Sequence, residues 1–84
     1  MTNSMATDSV RETEFAVFGI ENTAKRLGID GNDIVEELNK TNGIEEFLFP
    51  SYPQLHTQSK DYIVDEILMY IRRYNPNFPE KKER

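Results

Sequence analysis

The stretch Ser59-Lys60-Asp61-Tyr62-Ile63-Val64-Asp65-Glu66-Ile67-Leu68-Met69-Tyr70-Ile71-Arg72-Arg73-Tyr74 decides the fold class. Ile63, Ile67, Tyr70, Ile71 and Tyr74 recur at helical spacing, and Val64 and Leu68 widen the same face. Thr57 or Ser59 can cap the start by accepting a free backbone N–H. Asp61 near the start and Arg72-Arg73 near the end both suit the helix dipole. Asn75-Pro76 stops the helix, because proline cannot continue it.

Upstream, Pro50-Ser51-Tyr52-Pro53-Gln54-Leu55 reads as a turn or a single helical turn. Phe49 and Tyr52 each precede a proline, which pushes a residue away from helical angles. Ile44 to Phe49 can form a short helix that ends there. A helix over 32–41 is expected next, with Asp30 or Asn32 as its cap. Its apolar residues are Ile34, Val35 and Leu38, and Asn42-Gly43 ends it. The first helix is expected over 9–27. Ser9 and Glu12 have the spacing of a capping box, and Gly28 stands where a left-handed stop is favoured. Val17, Ile20, Ala24 and Leu27 form its apolar stripe, which Phe15 and Phe18 widen. No strand-like alternation persists.

These elements predict an all-α fold: a small bundle of three main helices plus one short helical element. Residues 1–8 are expected to be a disordered N-terminus, 9–74 a single helical domain and 75–84 a flexible charged tail. The first and last long helices should supply most of the core, closed by Leu38, Phe47 and Leu55. So small a domain buries only about 60% of its unfolded surface, which makes good helix packing or a partner important.

Composition narrows the function. The 84 residues carry 10 Lys and Arg against 15 Asp and Glu, a net charge of −5. An acidic chain has no general attraction to phosphate, so direct nucleic-acid binding and docking on an anionic membrane are disfavoured. The absence of cysteine removes disulfides, thiolate metal sites and cysteine nucleophiles. No run of roughly 20 mostly apolar residues could span a membrane, and the first residues lack the pattern of a signal peptide. A cytoplasmic location is the expectation. The negative charge concentrates in the first two helices, where Glu36, Glu37, Glu45 and Glu46 can present a docking face to a basic partner.

Chemistry-bearing constellations are sparse. His56 is the single histidine, with Asp61 and Asp65 as nearby carboxylates in sequence. General acid–base work needs a positioned partner and a substrate pocket. A structural role is the stronger reading, in which the imidazole packs on Tyr52 or Leu55 and bridges backbone groups between the 50–58 turn and the last helix. One histidine with scattered carboxylates does not make a zinc site. Asp30, Asn32 and Asp33 lack the full series of a calcium loop. No strand precedes Gly28, Gly31 or Gly43, so they form no phosphate loop. No cofactor is expected. The aromatic residues are mainly core, with Tyr62 or Tyr74 available to a partner.

The run Leu55-His56-Thr57-Gln58, followed by Tyr62 to Ile67 and by Tyr70-Ile71, resembles a family of short uncharacterised bacterial proteins, domain of unknown function three-seven-nine-one. Phe15, Phe18, Ile20 and Glu21 in the first helix fit it too, as do Gly28, Ile29 and Gly31 before the second. The resemblance implies small proteins encoded beside ADP-ribosyltransferase-like toxins, in a toxin–antitoxin or accessory role. It transfers no catalytic residue.

The leading expectation is therefore a non-enzymatic protein-interaction module, an antitoxin-like or accessory regulator of a bacterial protein encoded nearby. Its partner is another protein with a basic surface, or a second copy of itself. The alternative is an acidic phosphate mimic that inhibits a nucleic-acid-binding defence enzyme. A small hydrolase or transferase using His56 ranks third.

Overall fold

A computed structural model describes the backbone of residues 2–80 and the side chains of residues 10–80. Four α-helices and one π-helical turn make up the fold, with no strand among the described residues. The decisive stretch is α4, Lys60–Tyr74. Ser59, not Thr57, is its cap, and its Oγ accepts the Tyr62 N–H at 3.2 Å. Ile63, Val64, Ile67, Leu68 and Ile71 are buried along one face. Tyr70 is half-buried, and Tyr74, expected on that face, is exposed beyond the end of the core.

Helix α1 spans Thr2–Leu27 and so begins before the expected start. Ser9 lies inside it rather than at its cap. Each turn of α1 sends two adjacent residues into the core: Phe15 and Ala16, Gly19 and Ile20, Thr23 and Ala24. Val17 and Phe18 consequently fall on the other side and are exposed, contrary to the expected stripe. Gly19 marks the close approach to α4, since a Cβ there would stand 2.7 Å from Ile67 Cδ1. Thr23 is fully buried and satisfies its hydroxyl by donating to the Gly19 carbonyl at 2.8 Å. The stop is as expected. Gly28 takes φ 69°, Gly28 N–H donates to Lys25 and Ile29 N–H to Ala24, the paired bonds of a Schellman cap.

Helix α2 covers Gly31–Asn39, with Asp30 as its N-cap. Asp30 Oδ1 accepts the Asn32 N–H at 3.1 Å. Ile34 and Leu38 are fully buried. Full burial of such side chains is worth roughly 1.5–3 kcal/mol each. The chain turns at Asn42, whose φ is 58°. Gly43 has ordinary right-handed angles, so it is present for space and not for conformation.

The region read as a turn is more helical than expected. A π-helical turn at Ile44–Leu48 leads directly into α3, Phe49–Leu55. Phe49 keeps helical angles despite preceding a proline. Its N–H reaches Ile44 O, five residues back, and this widening comes immediately before Pro50. A wider turn accommodates the ring and the missing donor where a regular α turn would clash. Pro50 then sits in the first turn of α3, where no intrahelical donor is required.

The chain beyond α4 returns to the core. Phe78, read as part of a charged tail, is buried, and Arg72 Nε donates to its carbonyl at 2.9 Å. The rest of the expected tail, residues 81–84, lies outside the described residues, as does residue 1.

Candidate partner-binding surface

The Leu55-His56-Thr57-Gln58 element sits at the junction of α3 and α4. Leu55 is buried in the core. His56 caps the end of α3, and its N–H donates to Tyr52 O at 3.0 Å. Its ring lies one turn after Tyr52 and therefore stacks over it, with centroids 4.3 Å apart and planes 15° apart. Phe15 of α1 meets Tyr52 edge-on at 5.7 Å. The expected imidazole bridge to the backbone is not found among the described residues. The junction closes instead through main-chain bonds, including Gln58 N–H to Leu55 O at 2.9 Å. His56, Thr57 and Gln58 are all exposed.

Beside this stack runs an open groove of about 450 Å³. Phe15 and Phe18 line it from α1, Tyr52 and His56 from α3, and Ile63 from α4. Arg11, Glu14 and Gln58 supply its polar groups. Phe18 is 44% exposed there. Sequence periodicity had absorbed Phe18 into the core stripe. The signal that could have excluded it is the next residue, Gly19, which marks the face that α4 approaches closely.

The four glutamates differ in how the fold holds them. Glu36 is exposed and lines a second groove with Asp33, Glu37 and Glu80 over Ile29 and Phe78. Glu37 is largely covered and committed within the fold. Its Oε1 accepts from Lys40 Nζ at 3.1 Å and its Oε2 from Asn75 Nδ2 at 3.0 Å. Glu45 and Glu46 are exposed on the π-helical turn and do not line that groove. Tyr62 is exposed on the first turn of α4, outside both grooves.

Asp61 and Asp65, near His56 in sequence, are engaged elsewhere. Arg26 at the end of α1 reaches Asp65 Oδ1 at 2.8 Å and Asp61 Oδ1 at 3.4 Å. The Asp65 hydrogen bond, with the charges of both aspartates, holds the Arg26 guanidinium above its ordinary pKa. No group of three metal-ligating side chains occurs among the described residues. No described helix is long and apolar enough to cross a membrane. The arrangement at His56 offers flat aromatic surface beside one carboxylate, one guanidinium and one amide, which suits recognition.

Over residues 14–73 the chain matches the family model described as "Protein of unknown function (DUF3791)", and it belongs to that family. The matched span contains every core-forming helix face and most of the His56 groove. No curated protein and no solved structure matches the chain.

Proposed function

We propose that this family member is a non-enzymatic protein-interaction module, an accessory or antitoxin-like regulator of a bacterial protein encoded nearby, working in the cytoplasm. The observation that carries the reading is the aromatic groove at the α3–α4 junction. Folding leaves Phe18 44% exposed beside the Tyr52–His56 stack, although burying a whole Phe is worth roughly 1.5–3 kcal/mol. An uncovered aromatic cluster with polar groups around it has the make-up of an interface centre.

The phosphate-mimic alternative draws less support. It needs a regular row of free carboxylates, and Glu37 spends both of its oxygens on Lys40 and Asn75. An enzyme using His56 also draws little, because Asp61 and Asp65 pair with Arg26 instead.

Site-specific photo-crosslinking in the native host tests the proposal. A crosslinking side chain at Phe18 should give a discrete adduct with a second polypeptide. The same group at Asn39, exposed on α2, should not. Identical adduct patterns at the two positions, or none at Phe18, would overturn it.

A further inference from the structure

The described cations gather on one seam of the fold. Two adjoining grooves, of about 570 and 240 Å³, run between the end of α1 and α4 and share Arg26. Of the seven Lys and Arg residues between 10 and 80, Lys25, Arg26, Lys60, Arg72 and Arg73 line these grooves, and only Arg11 and Lys40 do not. Asp61 and Asp65 are the acidic residues of the lining, and both pair with Arg26. Lys25, Lys60, Arg72 and Arg73 make no ion pair among the described residues. Residues 60–74 alone carry three charges of each sign. Folding adds Lys25 and Arg26 to the seam, while Glu66 lines neither groove. The helix dipole accounts for cations at the ends of α1 and α4, but Lys60 stands in the first turn of α4, where it opposes the dipole.

From this we infer that the seam docks a carboxylate-rich segment of another protein. The surface is separate from the aromatic groove, and the inference does not rest on that groove. Arg26 is held by its two aspartates, and Arg72 by the Phe78 carbonyl at 2.9 Å. Both guanidinium groups are thus positioned before a partner arrives and lose less freedom on binding. Leu68 and the 56% exposed Met69 add apolar surface beside the arginines, which the methylene groups of acidic side chains can cover. From Lys60 to Arg73 the helix rises about 20 Å, the reach of about six residues of extended chain. A nucleic acid also supplies anions, but its charge continues past the seam onto a chain of net charge −5 and is repelled there. A short acidic segment stays within the seam.

The test titrates acetylated hexaglutamate amide, hexaglutamine amide and a long oligothymidylate into the full chain, followed by amide NMR shifts at low salt. Hexaglutamate should shift Lys25, Arg26, Lys60, Met69, Arg72 and Arg73 together, and hexaglutamine should not. Lys60→Glu and Arg73→Glu alter exposed residues and should keep the dispersed spectrum of a folded chain. Each should weaken hexaglutamate binding by about two- to fivefold, the range of an exposed ion pair. Arg11→Glu makes the same change of charge outside the seam and should leave binding unaltered. Equal losses in all three variants, or shifts spread evenly over the surface, would overturn the inference. So would tighter binding of the oligothymidylate, which would assign the seam to nucleic acid. The same shifts appearing with rising protein concentration and no peptide would make a second copy the occupant, and overturn it likewise. None of these outcomes alters the crosslinks expected at Phe18, so the two readings fail separately.

Discussion

Replacing Gly43 by alanine tests whether the turn after α2 approaches Tyr70 of α4 as closely as the geometry requires. The substitution has something in its favour. Gly43 has φ −68° and ψ −26°, angles that alanine adopts freely, and the gain from restricting the unfolded chain is about 0.4–1 kcal/mol. Against this, the new Cβ would lie 2.8 Å from Tyr70 Cε2, 3.0 Å from Leu38 Cδ2 and 3.2 Å from the Leu38 carbonyl oxygen. Comfortable separations between carbons are about 3.5–4.0 Å. One neighbour is backbone and cannot yield cheaply. Tyr70 is also held in place, stacked on Phe47 at 4.5 Å with its hydroxyl 2.8 Å from Thr41 Oγ1.

Overpacking of this kind costs about 1–3 kcal/mol. Displacing the Tyr70 hydroxyl from Thr41 adds about 0.5–1.5 kcal/mol. The cost exceeds the entropic gain, and the expected net loss is about 0.5–4 kcal/mol. In a domain of this size each kcal/mol lowers Tm by roughly 4–8 °C. Urea denaturation and thermal melting, both followed by helical circular dichroism, would measure it. Shortening the obstructing ring in Gly43→Ala/Tyr70→Leu should show a favourable coupling of about 0.5–3 kcal/mol in a double-mutant cycle. A Gly43→Ala protein as stable as the parent would refute the reasoning, because the conformational gain would then be unopposed.

Three further outcomes follow from the packing. Ile67→Ala opens a cavity at a fully buried position beside Gly19 and should cost about 2–5 kcal/mol by denaturant titration; a parent-like curve would remove Ile67 from the core. Glu37→Ala should cost about 1–2 kcal/mol because Asn75 and Lys40 lose their acceptor, whereas Glu45→Lys and Glu46→Lys should each stay within about 0.5 kcal/mol of the parent. Equal melts for the Glu37 and Glu45 variants would show that the Glu37 contacts carry no stability. His56→Ala removes one exposed stacking contact and should cost about 0.5–1 kcal/mol; a loss above about 2 kcal/mol would show that the imidazole holds buried backbone groups after all.

Local signals carried most of the fold. Gly28 and Ser59 act through their own backbone angles or first-turn bonds, and both perform the roles their positions suggest. The helical face of α4 is equally local, because five buried residues repeat within one element. The misreadings have a common cause: a tertiary contact outweighs the local preference. The prolines at 50 and 53 favour a turn, yet Leu48 and Leu55 are buried on either side of them, and a π-helical turn absorbs the conflict. Phe78 sits in a segment whose charge suggests solvent. One aromatic side chain and a bond from Arg72 suffice to bring it back.

The candidate site was legible only in outline, and the physical reason lies in what makes it a site. Its aromatic residues obey the same helical spacing as core residues. A spacing argument therefore assigns Phe15 and Phe18 to one stripe, because three positions turn the helix by about 300° and leave the two only about 60° apart. Only the neighbours decide: α4 meets α1 at Gly19, and Phe15 is buried while Phe18 is left exposed. The glutamates show the converse. Charge counting treats Glu36 and Glu37 as equivalent, but adjacent helical residues point about 100° apart. Glu37 turns toward Asn75 and becomes part of the fold, while Glu36 stays at the surface. Charge is thus read from the sequence, whereas the aromatic surface of Phe18 and His56 becomes visible only once the helices are placed.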